Sequence, residues 1–319
     1  MKTTVVIPNY NGKEYLENCL RSLETSEREL PAVLVVDNGS SDGSGEEAKA
    51  AFPWIELIRF SENRGFSAAV NEGIRRSRTP YVFLLNNDAA VRPGCIRALE
   101  ERMEEDARLF SVSARMVDMK NPGVMDGAGD LYSALGWAYA VGKGRPAAGY
   151  ERPRRIFSAC AGAAVYRRQT LLEIGGFDEL HFAYLEDVDV GYRARIRGFY
   201  NAYEPAAVVL HAGSATSGSR YNAFKIGCSS RNNVYLIYKN MPPLQILLNL
   251  PFLAAGFLLK TLFFIKKGYG AVYVKGLYEG LRLCAGKQGR ARRVRFKAGY
   301  LGNYIRIQGE LWLNMLRRI

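Results

Sequence analysis

YVFLLNNDAAV, residues 81–91, runs five apolar or aromatic residues straight into Asn86, Asn87 and Asp88. Pro80 and Pro93 bracket the stretch and no charge interrupts Tyr81 to Leu85, so it reads as a strand buried on both faces. A carboxylate at the carboxyl end of such a strand is held in place by the core behind it. Open α/β sheets bind ligands along that edge, which makes Asp88 the first candidate for chemistry. The competing reading is a strand-ending turn, because Asn and Asp are frequent turn residues.

Upstream, short β-branched runs alternate with helical patterns: TVVIP (4–8), a helix from about Lys13 to Leu23, AVLVVD (32–37), WIELIRF (54–60), and a helix from about Phe66 to Arg76. This βαβ repetition predicts an α/β domain with a mostly parallel, Rossmann-like central sheet. Polar clusters follow three of the strands: Pro8-Asn9-Tyr10-Asn11, the run Asp37 to Ser44, and Asn86-Asn87-Asp88. In a doubly wound sheet all three face one crevice. The Gly, Ser and Asp of the second cluster can wrap a small ligand with backbone N–H groups, or can simply form a loop and helix cap.

Downstream lie a charged helix (Cys95 to Glu105), the strand LFSVSAR, and a Gly-rich, aromatic stretch, 117–156, without clear periodicity; long irregular segments are usually functional or mobile. In SACAGAAVYRR (158–168), Gly162 allows either close ligand approach or close helix packing. GGFDELHFAYLEDVDVGYRARIRGF (175–199) predicts a helix from about Leu185 to Ile196. Arg193 lies four residues beyond Asp189 and can pair with it, whereas Asp187 has only Gly191 at that spacing and stays unpaired. His211 closes another apolar run, as a structural residue or a metal ligand.

Residues 1–215 hold 26 Lys and Arg against 29 Asp and Glu, a net of −3; residues 216–319 hold 18 against 2, a net of +16. Such a block suits an anionic partner. Nucleic acid fits poorly, because the cations adjoin the apolar run LQILLNLPFLAAGFLLKTLFFI (244–265) rather than a base-stacking platform. A single span there would put the tail on the far side from the sheet domain, against the positive-inside rule, which favours a re-entrant or interface-lying segment. The six basic residues of KQGRARRVRFK (287–297) would contribute up to ~6 kcal/mol at an anionic surface. Tyr269, Tyr273, Tyr278, Tyr300, Tyr304 and Trp312 suit an interfacial aromatic belt; a soluble helical subdomain is the alternative. Five widely spaced cysteines without a CxxC pattern fit a reducing compartment, and MKTTVVIPNYNG does not read as a signal peptide.

VVIPNYNGKEYLENCLRSL, VLVVDNGSSDGS, ENRGFSAAVNEGI, YVFLLNNDAAV, GGFDELHFAYLEDVDVGYRARIRGF and VVLHAGSAT, in that order, resemble family-2 glycosyltransferases, and more narrowly the rhamnosyltransferase-type branch of bacterial surface polysaccharide synthesis. The resemblance covers roughly residues 3–215. It implies a GT-A catalytic domain over 1–215, followed by a basic, apolar, membrane-associating helical region over 216–319. It also implies a nucleotide-diphosphate sugar donor, a divalent metal (Mg2+ or Mn2+) and an inverting displacement. By position, Pro8, Asn9, Tyr10 and Asp37 would hold the nucleotide, with Asn63, Asn71 and Asn87 lining the same pocket. Asn86-Asn87-Asp88 matches the metal-binding triplet, usually Asp-x-Asp or Asn-Pro-Asp, with Asn87 in the proline's place; His211 would be a further ligand. Asp187 of the Glu186-Asp187 pair matches the catalytic base. The absence of QxxRW implies transfer of one sugar per encounter. The expected acceptor is lipid-linked or a surface glycan, at the cytoplasmic face of the bacterial inner membrane; a catalytically silent module that binds nucleotide sugar or lipid is the rival.

Overall fold

The computed structural model describes residues 1–213 and 221–317. The first half alternates as β1 (Thr3–Asn9), α1 (Leu16–Ser26), β2 (Ala32–Asp37), α2 (Ser44–Ala51), β3 (Glu56–Arg59), α3 (Phe66–Arg76) and β4 (Tyr81–Leu85). Then come β5 (Ala89–Val91), α4 (Cys95–Glu104), β6 (Leu109–Asp118), β7 (Met125–Gly127), β8 (Asp130–Tyr132), β9 (Ala138–Ala140), β10 (Arg154–Ile156), β11 (Ala163–Arg167), α5 (Arg168–Glu173), α6 (Glu186–Ile196) and β12 (Tyr200–His211). Five helices follow: α7 (Ala223–Asn240), α8 (Pro243–Lys266), α9 (Gly270–Ala285), α10 (Lys287–Ala291) and α11 (Leu301–Leu316). The stretch 117–156 is thus built of short strands, too brief to show a period.

The main sheet runs β10-β12-β6-β11-β4-β1-β2-β3, with β5 beside β12 and β7 beside β6. Along that path β3, β2, β1, β4, β6 and β12 point one way, and β11 and β10 the other. Every residue of β4 is buried, as its unbroken apolar run requires. Pleating sends Val5 and Ile7 of β1 into one apolar layer and Val6 into the other. Each fully buried Val, Leu or Ile contributes roughly 1.5–3 kcal/mol. Helix α3 lies so close to β1 that a Cβ on Gly73 would sit 2.3 Å from Val6 Cγ1. Because β1, β2, β4 and β12 are co-directional, Asn9, Asp37, the Asn86–Asp88 turn and His211 all emerge on one edge.

The tail shares a third apolar core with the sheet domain, in which Tyr132, Phe157, Val188 and Tyr192 meet Leu236, Leu253, Ile307 and Leu311. The expected boundary at residues 215 and 216 lies outside the described residues. Helix α8 inverts the usual amphipathic order: Gln245 and Asn249 are buried, whereas Leu244, Leu247, Leu258, Leu259, Leu262 and Ile265 are exposed. Inside, Tyr192 donates to Gln245 (2.8 Å), and Asn249 exchanges hydrogen bonds with Gln308 (2.8 Å each way). After α8 the chain comes back, and Ala134 N–H donates to Leu311 C=O (3.0 Å). Segments on both sides of α8 therefore pack against the same domain. Tyr273 and Tyr304 belong to the interior, at 3% and 5% exposure, so the expected aromatic belt loses them; Tyr278 and Trp312 remain on the surface.

Candidate active site

Asn9 and Asp37 are register partners at the ends of β1 and β2. Asn9 Nδ2 donates to Asp37 Oδ1 (2.9 Å) and Ser44 Oγ (2.8 Å), and Asn87 Nδ2 donates to Asn9 Oδ1 (2.8 Å). These bonds join the three strand ends into one rigid floor. Gly12 makes room for it, since a Cβ there would sit 2.2 Å from both Asn87 Nδ2 and Asn9 Oδ1. Asn63 Oδ1 accepts from Asn38 Nδ2 and Gly65 N–H (2.9 Å each), ordering the neighbouring loop. Pro8 lies in β1 opposite Val36, and Tyr10, 38% exposed, stands at the rim. Asn71, expected among the nucleotide-facing residues, instead clasps the N–H and C=O of Phe177 (2.9 and 2.8 Å), because the buried face of α3 points it there.

Further along the edge, β5 doubles back onto β12 with Ala89 opposite His211. His211 Nε2 therefore lies 3.1 Å from Asp88 Oδ1, while Nδ1 lies 2.8 Å from Asp126 Oδ2. Lys143 Nζ reaches Asp126 Oδ1 at 2.6 Å, and Asn86 Nδ2 lies 3.5 Å from His211 Nε2. Burial disfavours a charged His211, but the two carboxylates outweigh it and raise its pKa to about 9. Burial likewise opposes charge on Asp126, yet His211 and Lys143 hold it down to about 2. A carboxylate steadying one ring nitrogen while the other faces an acid is a common support for a metal-binding histidine. The donor set suits Mg2+ or Mn2+: carboxylate oxygen from Asp88, amide from Asn86 and, once Nε2 is deprotonated, imidazole from His211. Asn87 adds nothing to that set, being spent on Asn9.

Helix α6 begins abruptly. Phe182, Tyr184 and Leu185 hold φ of 62, 71 and 67°, a left-handed conformation that is costly for residues with a Cβ. The tail supplies the restraint: Asn232 Nδ2 on α7 donates to the carbonyls of His181, Ala183 and Tyr184, each at 2.8 Å. This delivers Asp187 to the crevice, where its oxygens accept from Val188 N–H (2.8 Å) and Ala161 N–H (3.4 Å). Carboxylate oxygens of Asp130 and Asp187 and Cys160 Sγ lie within 4.8 Å of one another. Desolvation raises the pKa of Asp130, with Asp187 adding to it; desolvation also raises Asp187, moderated by its two backbone donors. Glu186, buried with Oε2 unpartnered, is pushed up by burial and then by Asp187. Asp189 pairs with Arg193 as the spacing predicts (2.8 Å). Gly191 does not open a space above Asp187; it lets α6 press on Ser158, whose Cβ a side chain at 191 would meet at 2.6 Å. Gly162 likewise closes on protein, with Asn86 Nδ2 at 3.1 Å from its would-be Cβ.

The family model described as Glycosyl transferase family 2 matches residues 4–175. The chain belongs to that family. This glycosyltransferase is similar to the N-acetylglucosaminyl-diphospho-decaprenol L-rhamnosyltransferase of Mycobacterium tuberculosis, 29% identical over 241 residues that cover 67% of this chain and 77% of the relative. It is 30% identical over 213 residues to a pre-mycofactocin glycosyltransferase of the same species, covering 65% of this chain and 42% of that one. Among solved structures it superposes on GalNAc-T7 with UDP, GalNAc and Mn2+ (TM-score 0.60, 15% identity, 74% of this chain and 47% of that chain). It also superposes on the mannosyltransferase PcManGT from Pyrobaculum calidifontis with GDP-Man and Mn2+ (TM-score 0.54, 17% identity, 97% and 84%). At these identities the likeness establishes the GT-A fold.

Asp126, Asp130, Lys143 and Asn232 of the glycosyltransferase have no counterpart among the expected site residues. Only the symmetric Asp126-Gly-Ala-Gly-Asp130 spacing could have drawn attention to the first two. A separate concavity of about 900 Å3, lined by Thr4, Ala32, Arg75 and Arg168, lies at the opposite edge, by the strands' amino-terminal ends.

Proposed function

We propose that this enzyme transfers one sugar, with inversion, from a nucleotide-diphosphate sugar to a lipid-linked acceptor at the cytoplasmic membrane surface. The observation that carries the reading is the electrostatic split of the crevice: Asp88 with His211 on one side, and Asp187 with no cation partner among the described residues on the other. Asn9, Asp37, Asn63 and Asn87 shape the nucleotide floor, with Pro8 and Tyr10 at its rim. Asp88, Asn86 and His211 would hold Mg2+ or Mn2+, which when bound offsets the charge gathering on the diphosphate leaving group. Asp187 takes the proton of the attacking acceptor hydroxyl; its raised pKa makes it a better acceptor than an exposed carboxylate. Glu186, the other member of the pair, is buried beside it, and burial raises its carboxyl pKa. The diphospho-decaprenol in the name of the mycobacterial relative supports the lipid-linked acceptor.

Membrane association is supported by α8, whose Gln245 and Asn249 face inward while Leu244, Leu247, Leu258, Leu259, Leu262 and Phe263 face out. Because the chain returns to the same domain after α8, a helix lying in the interface fits better than one that crosses. Arg292 is already bound to Asp178 (2.8 Å) and Arg293 stacks on Tyr238 (4.7 Å to the ring centre). Lys287, Arg290, Arg295 and Lys297 remain for anionic headgroups, about 4 kcal/mol rather than the six-residue figure. Sedimentation with anionic liposomes at low salt, reversed by high salt, is expected; a chain that stays in the supernatant without detergent refutes this part.

Asp187→Asn tests the chemistry. Transfer should fall by about 10²–10⁴-fold while donor nucleotide binding stays near wild type; undiminished turnover removes Asp187 from its role. Against the silent-module reading, wild-type enzyme should release nucleoside diphosphate from an activated sugar in a chelator-sensitive manner.

A further inference from the structure

A cavity of about 280 Å3 opens between the residues leading into α6 and the helices α7, α8 and α9. Tyr184 and Leu185, directly before Glu186 and Asp187, form its inner wall. Lys225 of α7 and Lys260 of α8 line it together with Phe264 and Tyr273, the Lys260 ammonium lying 5.6 Å from the centre of the Trp137 ring. Lys225 interacts electrostatically with Asp88 and Lys143, so this end of the cavity lies within reach of the metal-side carboxylate. Tyr273 is 3% exposed, yet its hydroxyl has no hydrogen-bond partner among the described residues. Buried hydroxyls are seldom left unpaired, and one on a residue that lines a cavity together with two lysines is suited to an anionic oxygen. Apolar surface adjoins these groups: the Phe264 and Tyr273 rings lie 5.0 Å apart between centres, and Leu258, Leu259, Leu262 and Phe263 of the same α8 face outward.

We propose that this cavity is the acceptor's phosphate subsite. Lys225, Lys260 and the Tyr273 hydroxyl would contact the diphosphate of a lipid-linked acceptor, while its hydrocarbon chain leaves along Phe264 toward the outer face of α8. The inference rests on the glycosyltransferase reading above and gives its acceptor a place and a charge. It explains why a cavity next to the proposed base is lined by lysines and aromatic rings together: a sugar on a lipid diphosphate presents both an anion and a hydrocarbon chain. The donor carries phosphate too, so the test must separate the two sources.

Full-length enzyme in dodecyl maltoside micelles is titrated calorimetrically with farnesyl diphosphate, with farnesol, and with UDP, GDP or dTDP in the presence of Mn2+. Farnesyl diphosphate should bind wild type at least about tenfold more tightly than farnesol. Lys225→Ala and Lys260→Ala should each weaken farnesyl diphosphate by about tenfold and change nucleotide affinity by less than about twofold. Tyr273→Phe should leave thermal stability unchanged or higher, since it removes an unpaired buried hydroxyl, and should still weaken farnesyl diphosphate about threefold. That variant keeps the test decisive if a lysine variant misfolds. Parallel loss of nucleotide binding would assign the lysines to the donor, equal binding of farnesol would reduce the cavity to an apolar contact, and unchanged farnesyl diphosphate binding in the variants would remove the subsite; each overturns the proposal. If no nucleotide binds wild type with Mn2+, the donor reading fails while the farnesyl diphosphate arm is still read independently.

Discussion

Asp187 and Asp189 stand two residues apart on α6, in opposite surroundings. Asp189 is fully buried, yet Arg193 and Lys239 at 2.8 Å and Asn240 at 2.8 Å keep it ionised, far below the usual carboxylate range, although burial acts the other way. Asp187 turns to the crevice with two backbone donors and a second carboxylate for company, and desolvation raises its pKa. One face of the helix is fastened by matched charge; the other is left unmatched, at the carboxylate proposed above as the base. The fastening comes from the tail, because Lys239 and Asn240 belong to α7, and Arg292 completes the network on Asp178 (2.8 Å). The tail of this enzyme is therefore part of the scaffold that holds α6 as well as a candidate membrane contact.

The most damaging way to break the contrast is Asp189→Ala. Removing one member of a buried charge network should cost roughly 3–5 kcal/mol, read as a lower urea midpoint, whereas Asp187→Asn should lose turnover with little change in that midpoint. Next, Asn232→Ala removes the side-chain NH2 whose two hydrogens are shared among three carbonyls of the left-handed turn before α6. A stability loss of about 1–3 kcal/mol should accompany a kcat that falls more than the donor KM changes, because the turn aims the base.

The two faces should also part with pH. Asp189 and Asp178 have lowered folded values, so their stabilisation is complete above the ordinary carboxylate pKa of roughly 4 and is lost as pH falls through the folded values. Asp130 and Glu186 have raised values, so theirs is complete below roughly 4 and is lost as pH rises through the folded values. Urea titrations of Asp130→Asn should accordingly show its stability relative to wild type growing as pH climbs above about 4. The smallest effect is expected on turnover: at neutral pH Asp130→Asn and Glu186→Gln replace groups already inclined to be neutral, and each should change kcat by less than about threefold. A loss comparable to Asp187→Asn would move the proton chemistry onto the substituted residue.

Local signals carried a good part of the fold. Tyr81 to Leu85 and Phe66 to Arg76 are found with the bounds their periodicity predicts, and α6 starts one residue after the expected Leu185. Asp88 and His211 are adjacent as expected from strand ends on a common edge. The misses cluster where periodicity is silent. Asp126 and Asp130 sit on three-residue strands, the motif position of Asn71 does not show that its helix face points inward, and nothing in the apolar run 244–265 marks which way Gln245, Asn249 and Lys260 turn. Two of those, Gln245 and Asn249, instead line the inner seam that leaves the apolar face outward.

The chain's order of residues alone settled the α/β alternation, the carboxylates at the strand ends and the segregation of positive charge, because these depend on neighbours a few positions apart. Which carboxylate stays ionised, which gains a proton and which face of α8 meets the surroundings were decided only by the tertiary structure. Desolvation and Coulomb interactions depend on distance in space, and groups that govern Asp187 and Asp189 arrive from far along the chain, Ala161 from the loop before β11 and Lys239 and Asn240 from α7.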